Sequence, residues 1–322
     1  MIGELRILDA LLKRYCPRIE FDSYEDFREN FTIEVPEVFN FGFDIVDEWA
    51  RIEPEKRALV WCNDAGDERT FTFTDISRLS NKAANAFREL GIGKGDVVMM
   101  ILRRRFEYWI CAVALCKLGA TIIPATLQLT SHDISYRAQS AGVKAFICVN
   151  DDYVCSQAEG ALPDSPSVKT RIVVAGEREG WLSFDKLIEG RSEEFARPTG
   201  EAGVTSKDIM LIYFTSGTTG MAKAVCHNFA HPLGHILTAK YWQQVRENCL
   251  HMSVTDSGWA KFGWGKIYGQ WICGATIFAY DMDKFVPTKL LQKMQDYRLT
   301  TFCAPPTMYR FMLQEDVASY DL

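Results

Sequence analysis

Between Tyr213 and Lys223 the chain reads Tyr-Phe-Thr-Ser-Gly-Thr-Thr-Gly-Met-Ala-Lys. These residue types make an anion grip. Gly217 and Gly220 let the backbone approach a ligand and turn N–H groups toward it. Thr215, Ser216, Thr218 and Thr219 add hydroxyl donors, and Lys223 adds a mobile positive charge. An apolar strand, Ile209 to Phe214, runs into the loop, and a second strand, Ala224 to Cys226, follows it. Such a loop suits a triphosphate. It is not a Walker A loop, because Gly217 and Gly220 are too close together and Lys223 stands too far beyond the second glycine. The plain alternative is a Ser/Thr/Gly hairpin turn, but common hairpins use roughly two to five loop residues of simpler chemistry.

Three other groups of residues invite a chemical reading. His227, His231 and His235 recur every fourth residue, as a zinc-binding helix face would require. Pro232 is expected to interrupt that helix, and no acidic residue completes an H-E-x-x-H arrangement, so no metal ligands are assigned among the side chains. His227 is expected to end the strand after the loop. Arg103-Arg104-Arg105 is the one compact basic run, read as a solvated strand end or loop, with a dedicated phosphate or nucleic-acid role as the alternative. Gly91, Gly93 and Gly95 have the wrong spacing for a dinucleotide loop and follow a helix rather than a strand.

The elements that must position these residues form an alternating series. Leu59 to Cys62 and Arg69 to Phe73 read as strands around a turn at Asp64–Asp67. Thr74 is expected to cap a helix whose face is Ile76, Leu79, Ala83, Ala86, Phe87 and Leu90. A strand at Val97–Ile101 follows, then a helix from Phe106 to Leu118 closed by Gly119, and a buried strand at Thr121–Pro124. Ser131 is expected to cap a helix through Ala141, followed by a strand from Ala145 to Val149. Residues 156–208 read as a surface excursion carrying one strand, Arg171 to Val174. A new segment then begins at Ile209, with later strands at Ala275–Ala279 and Thr300–Cys303 and helices at Pro287–Tyr297 and from Pro306. Strand–helix–strand alternation at this rhythm predicts an α/β fold with parallel sheets and flanking helices.

Composition narrows the class. With 48% hydrophobic residues in 322, a large core can be buried. A net charge of −6 argues against a nucleic-acid partner, which would call for a basic stripe. Met1 to Tyr15 mixes charges with Leu5, Leu8, Leu12 and Tyr15 at helical spacing, so it lacks the apolar core of a secretory signal. The longest apolar stretch, Trp109 to Pro124, is broken by Lys117 and Gly119 and is too short to span a bilayer. A soluble, cytoplasmic protein is expected. Its ten cysteines show no CxxC pair and are expected to be buried thiols rather than a disulfide framework.

Thr215 to Lys223 resembles the phosphate loop of the adenylate-forming superfamily, T-S-G-[TS]-[TS]-G-x-P-K, departing only at Ala222, where proline is usual. Other segments are similar in the right order. Phe71 to Val98 resembles the early strand–helix motif of that superfamily, and Leu115 to Ala120 the helix-to-strand segment after it. Asp256-Ser257-Gly258-Trp259, Tyr268-Gly269 and Gly274-Ala275-Thr276 resemble the acyl-pocket region, and Ala304 to Tyr309 the corner beyond it. The Ser-Gly-Trp form and "YRFMLQED" are most similar to medium-chain acyl-CoA synthetases.

The resemblance implies an acid–CoA ligase acting through an acyl-adenylate, with ATP, Mg2+ and CoA. It assigns Thr215, Ser216, Gly217, Thr218, Thr219, Gly220 and Lys223 to the ATP phosphates, Trp259 to an acyl-pocket wall (the alternative being a core tryptophan), and Gln128 to CoA. It implies the large N-terminal AMP-binding domain, divided into a wrap (1–58), a first α/β subdomain (59–200) and a phosphate-loop subdomain (201–322). The superfamily's adenine-binding Y-G-x-T-E segment, its ribose-binding T-G-D segment and its small C-terminal domain with a catalytic lysine have no match here. The expectation is therefore an incomplete domain, inactive by itself, with a second chain carrying the rest as one arrangement. Two further readings keep the fold: a noncatalytic phosphate-binding or interaction module, and an adenylating enzyme that does not use CoA. The partners expected are small molecules, without nucleic acid and without a membrane span.

Overall fold

The computed structural model describes residues 9–215 and 220–322. Twelve strands among them form two sheets. β1 (Arg57–Asn63), β2 (Glu68–Thr72), β10 (Leu250–Ser253), β11 (Thr276–Asp281) and β12 (Thr301–Cys303) make a five-stranded sheet in the order β12-β10-β11-β1-β2. β3 (Val97–Ile101), β4 (Thr121–Pro124), β5 (Val143–Val149), β6 (Thr170–Val174), β7 (Leu182–Ser183), β8 (Ile209–Thr215) and β9 (Lys223–Asn228) make a seven-stranded sheet in the order β7-β6-β5-β3-β4-β8-β9. All neighbours are parallel except β1/β2 and β8/β9. The fold is α/β, as the alternation predicts. Sheet membership nevertheless crosses residue 200: β8 and β9 complete the sheet begun by β3, whereas β1 and β2 join the late strands.

Central strands read as unbroken apolar runs because helices cover both faces of a parallel sheet. Val98 to Ile101 and Ile122 to Ile123 are fully enclosed. The helix Glu107–Leu118 is buried on every side, as expected of one that is apolar all round. Its two charged ends are paired. Glu107 binds Arg105 at 2.7 Å, and Lys117 Nζ donates to Asp47 Oδ1 at 2.7 Å and Asn81 Oδ1 at 2.6 Å. Trp49, in the helix Glu48–Ile52, donates from Nε1 to the carbonyl of Trp271, and Trp271 donates to that of Ala58 in β1. Those two bonds, with Phe41 and Phe73 packed alongside, tie the Trp49 helix and β1 to Trp271.

Several expectations change. The helix Phe73–Glu89 is capped by Thr72, not Thr74: Asp75 completes a capping box, and the Thr74 hydroxyl donates to the Pro54 carbonyl instead. Thr130, not Ser131, caps the helix Ser131–Ala141 by the same device with Asp133, while the Ser131 hydroxyl donates to Gln157. Residues 156–208 are not an excursion. They supply β6 and β7 to the large sheet because Ile172, Val173 and Val174 bury against it. The charged stretch after Glu189 is held by Asn81 and Asn85, which donate to the carbonyls of Glu193, Ser192 and Glu194. β10 is a strand that the apolar pattern does not predict.

Leu5 and Leu8 lie outside the described residues; Leu12 and Tyr15 are buried. All ten cysteines are free, and eight are buried. Among the described residues no helix is long and apolar enough to cross a membrane.

Candidate active site

Parallel strands place their carboxyl ends at one edge of a sheet, where ligands of α/β proteins bind. β3 leads into Arg103–Arg105, β4 into Gln128, and β8 into the phosphate loop. In the other sheet, β10 leads into Asp256–Trp259, β11 into Met282 and Asp283, and β12 into Pro305.

The loop's flanks stand as the sequence predicts. Thr215 and Lys223 face each other at the end of the antiparallel β8/β9 ladder, and β9 is the edge strand. Both side chains are exposed. Gly220 has φ +97°, a conformation that a side chain would strain. Ser216, Gly217, Thr218 and Thr219 lie outside the described residues. On the near side the Tyr136 hydroxyl donates to the carbonyl of Ala222 at 3.0 Å.

Trp259 is not a core tryptophan. It is 61% exposed and precedes the helix Ala260–Lys266. The turn before it presses on the segment after β4: a Cβ on Gly258 would lie 2.2 Å from the Thr126 nitrogen. The exposed Gln128 therefore belongs to a segment that touches the turn carrying Trp259. The same helix meets the strand leading into the phosphate loop, where a Cβ on Gly263 would lie 2.5 Å from Tyr213 Oη. The Trp259 turn thus adjoins the Gln128 segment, and the helix after it adjoins β8 two residues before Thr215.

A cleft of about 560 Å³ opens between the ends of the two sheets, lined by Arg104, Asp256, Trp259, Met282, Phe285 and Met308, among others. The arginine run is not a solvated loop. Arg104 pairs with Asp256 and donates to the Met282 carbonyl; Arg103 binds Asp283 at 2.8 Å. Arg103 Nε also stands 3.2 Å from Asp281 Oδ1, close enough for an ion pair but without hydrogen-bond alignment. Burial pushes the Asp281 carboxyl up, against the pull of these arginines.

Behind the cleft lies Lys266, which sequence reasoning missed. It is fully buried, its Nζ has no hydrogen-bond partner, and the Phe262 ring centre is 5.4 Å away. Burial, helped by Arg104, lowers its pKa to about 7, with Asp256 and Asp281 opposing. The available signal is a lone lysine in the aromatic run Phe262 to Trp271.

The three histidines do come together. The His227 and His231 ring centres are 4.1 Å apart, and the Nε2 atoms of His231 and His235 are 3.0 Å apart. Pro232 does not interrupt their helix. It sits in the first turn of His231–Leu237, where proline is tolerated. Burial, then the neighbouring histidines, holds His231 at about 3 and His235 at about 4, so both are neutral near pH 7. Among the described residues no group of His, Cys, Asp or Glu is placed to hold a metal.

Over residues 46–322 the sequence matches the family described as AMP-binding enzyme. Relatives include acyl-coenzyme A synthetase ACSM3, mitochondrial, of Pongo abelii, 32% identical over 99% of this chain and 55% of its own length. Human ACSM4, mitochondrial, is 35% identical over 89% of this chain and 50% of its own. The chain thus spans about half the length of these relatives. Among solved structures, the anthranilate CoA ligase AuaEII in complex with anthranoyl-AMP superposes with a TM-score of 0.78 at 21% identity, over 89% of this chain and 54% of that one. A Brucella canis acyl-CoA synthetase gives 0.74 at 18% identity, over 85% and 49%. These likenesses show the fold. The relatives' names overturn the cytoplasmic expectation, since ACSM3 and ACSM4 are named as mitochondrial.

Proposed function

The chain belongs to the AMP-binding enzyme family, and on that premise we propose that it supplies the ATP- and acid-binding part of an ATP-dependent acid–CoA ligase acting on a small or medium-chain carboxylic acid. The observation that supports this reading is the contact of the Trp259 turn with the Gln128 segment, with the helix after Trp259 packed on Tyr213, two residues before Thr215. The relatives' names agree with it.

In the reaction proposed, a substrate carboxylate oxygen bonds to the α-phosphorus of ATP as the bond to the β-phosphate oxygen breaks. The products are acyl-adenylate and pyrophosphate. The sulfur of CoA, as thiolate, then bonds to the acyl carbon and AMP leaves. Both partners of the first step are anions, so positioning and charge neutralisation dominate the barrier. Thr215, Ser216, Gly217, Thr218, Thr219, Gly220 and Lys223 hold the β- and γ-phosphates. Trp259 borders the acyl group and Gln128 meets CoA. A magnesium ion brought with the nucleotide would be held by hard oxygens such as the hydroxyls of this loop, and would offset phosphate charge there.

Titration calorimetry with MgATP tests the reading. Lys223→Ala and Thr215→Ala should each weaken binding about ten-fold, the loss of one charge-assisted hydrogen bond. Failure of the unaltered chain to bind MgATP would overturn the phosphate assignment. MgATP binding that C4 to C10 acids leave unaffected would favour a noncatalytic phosphate-binding module.

A further inference from the structure

The helix Ser131–Ala141 grips the phosphate-loop hairpin on both sides. On entry, the Arg137 guanidinium stands 5.3 Å from the Phe214 ring centre, and the Tyr136 ring meets Phe214 edge-on at 6.4 Å. On exit, the Tyr136 hydroxyl donates to the Ala222 carbonyl at 3.0 Å. The grip is itself anchored. Arg137 donates to the Asp133 carbonyl at 2.8 Å, and the Asp133 carboxylate is locked into the capping box with Thr130. The helix also rests on its neighbour, where Gln157 accepts from both the nitrogen and the hydroxyl of Ser131.

The exit is the place where this chain departs from the superfamily's pattern, with Ala222 in place of proline. Proline fixes its own φ and narrows the choices of the residue before it. Alanine does neither, so the segment between Gly220, already in the left-handed region, and Lys223, where the strand resumes, has more freedom. A hydrogen bond from a half-buried side chain to the carbonyl of that alanine restores a restraint.

We propose that Tyr136 is a positioning residue for the phosphate loop, holding the exit at Ala222 so that Lys223 stands ready for the phosphates. This rests on the phosphate-binding reading above. Its hydroxyl acts on the backbone and not on the ligand, which separates it from Thr215 and Lys223.

The test is Tyr136→Phe, which removes one oxygen and keeps the ring against Phe214. Amide hydrogen exchange in the ligand-free chain should rise at residues 220–223 and stay unchanged in β3, β4 and β5. MgATP should bind about ten-fold more weakly, as for one lost hydrogen bond. The thermal midpoint should fall by only about 1–3 °C, as for one hydrogen bond in a chain of this size. Adding Ala222→Pro to Tyr136→Phe should return both exchange and affinity toward those of the unaltered chain, because the ring of proline replaces the missing restraint. Unchanged exchange at 220–223, or MgATP binding that Ala222→Pro does not restore, would overturn the proposal. If the unaltered chain does not bind MgATP, the phosphate reading falls, and the exchange measurement still reports separately whether Tyr136 restrains the exit.

Discussion

Gly258 packs so closely on Thr126 that a Cβ there would stand 2.2 Å from the Thr126 nitrogen and 2.4 Å from the Ala125 carbonyl carbon. Both neighbours are backbone, so neither can swing aside. This contact joins the turn carrying Trp259 to the strand end carrying Gln128, and so joins the two sheets at the site.

Gly258→Ala should therefore separate the two segments. Overpacking of this kind costs about 1–3 kcal/mol. Urea unfolding should show that loss, and the fluorescence of the exposed Trp259 should shift as its turn is displaced. An unchanged midpoint would mean that the segments do not bear on each other.

The strands flanking the candidate phosphate loop are legible, and its consecutive glycines, hydroxyls and lysine mark the segment by local chemistry alone. The strand Thr121–Pro124 and helix Pro287–Tyr297 are legible through apolar runs and a proline start. The cleft is not, since Arg104, Asp256 and Met282 follow three strands far apart in the chain. β10 is hidden because His251 and Ser253 interrupt its apolar pattern. Its polar groups are satisfied within the fold, with His251 bonding Thr301 at 2.8 Å and the Gly265 carbonyl at 3.1 Å. The two caps differ from expectation for a reason the sequence does contain: an acid three residues on selects Thr72 and Thr130 over Thr74 and Ser131.

The histidine cluster predicts acid sensitivity. His231 and His235 are held at about 3 and about 4 by burial, and His251 at about 4, all below the ordinary 6.5. A depressed folded pKa means that the unfolded chain binds more protons between the two values. The stabilisation is fully present above pH 6.5 and is lost as pH falls toward 4. Stability at pH 5 should be lower than at pH 7 by a few kcal/mol, since each proton taken up only by the unfolded chain costs about 1.4 kcal/mol for every pH unit descended. His235→Asn should flatten this slope in urea unfolding across pH 5–7. An equal slope in the variant would show that His235 is not among the groups responsible.

An apolar strip is exposed near the helix Pro306–Met312, with Phe311 46% and Leu313 76% exposed. Exposed apolar patches promote association. Sedimentation velocity should show self-association that Leu313→Lys with Phe311→Lys reduces. A monomer at all concentrations would remove the argument.

Lys266 yields the strongest stability prediction. Its Nζ is enclosed without a hydrogen-bond partner, and the charged form is costly there. Burial lowers the pKa from 10.5 to about 7. The unfolded chain therefore holds a proton between pH 7 and 10.5 that the folded chain releases, and stability should rise with pH across that window. Lys266→Met keeps the length of the side chain, removes the charge and leaves no buried donor. Replacing unsatisfied buried charge with a well-packed apolar group stabilises by about 1–4 kcal/mol. Thermal unfolding at pH 7 should show a higher midpoint for the variant, and the advantage should shrink as pH approaches 10.5, where the unaltered lysine is neutral in the folded chain. If Lys266→Met is less stable at pH 7, the lysine must be contributing a favourable interaction in the interior, and its ammonium would have to be paired with Asp256 or Asp281 rather than stranded.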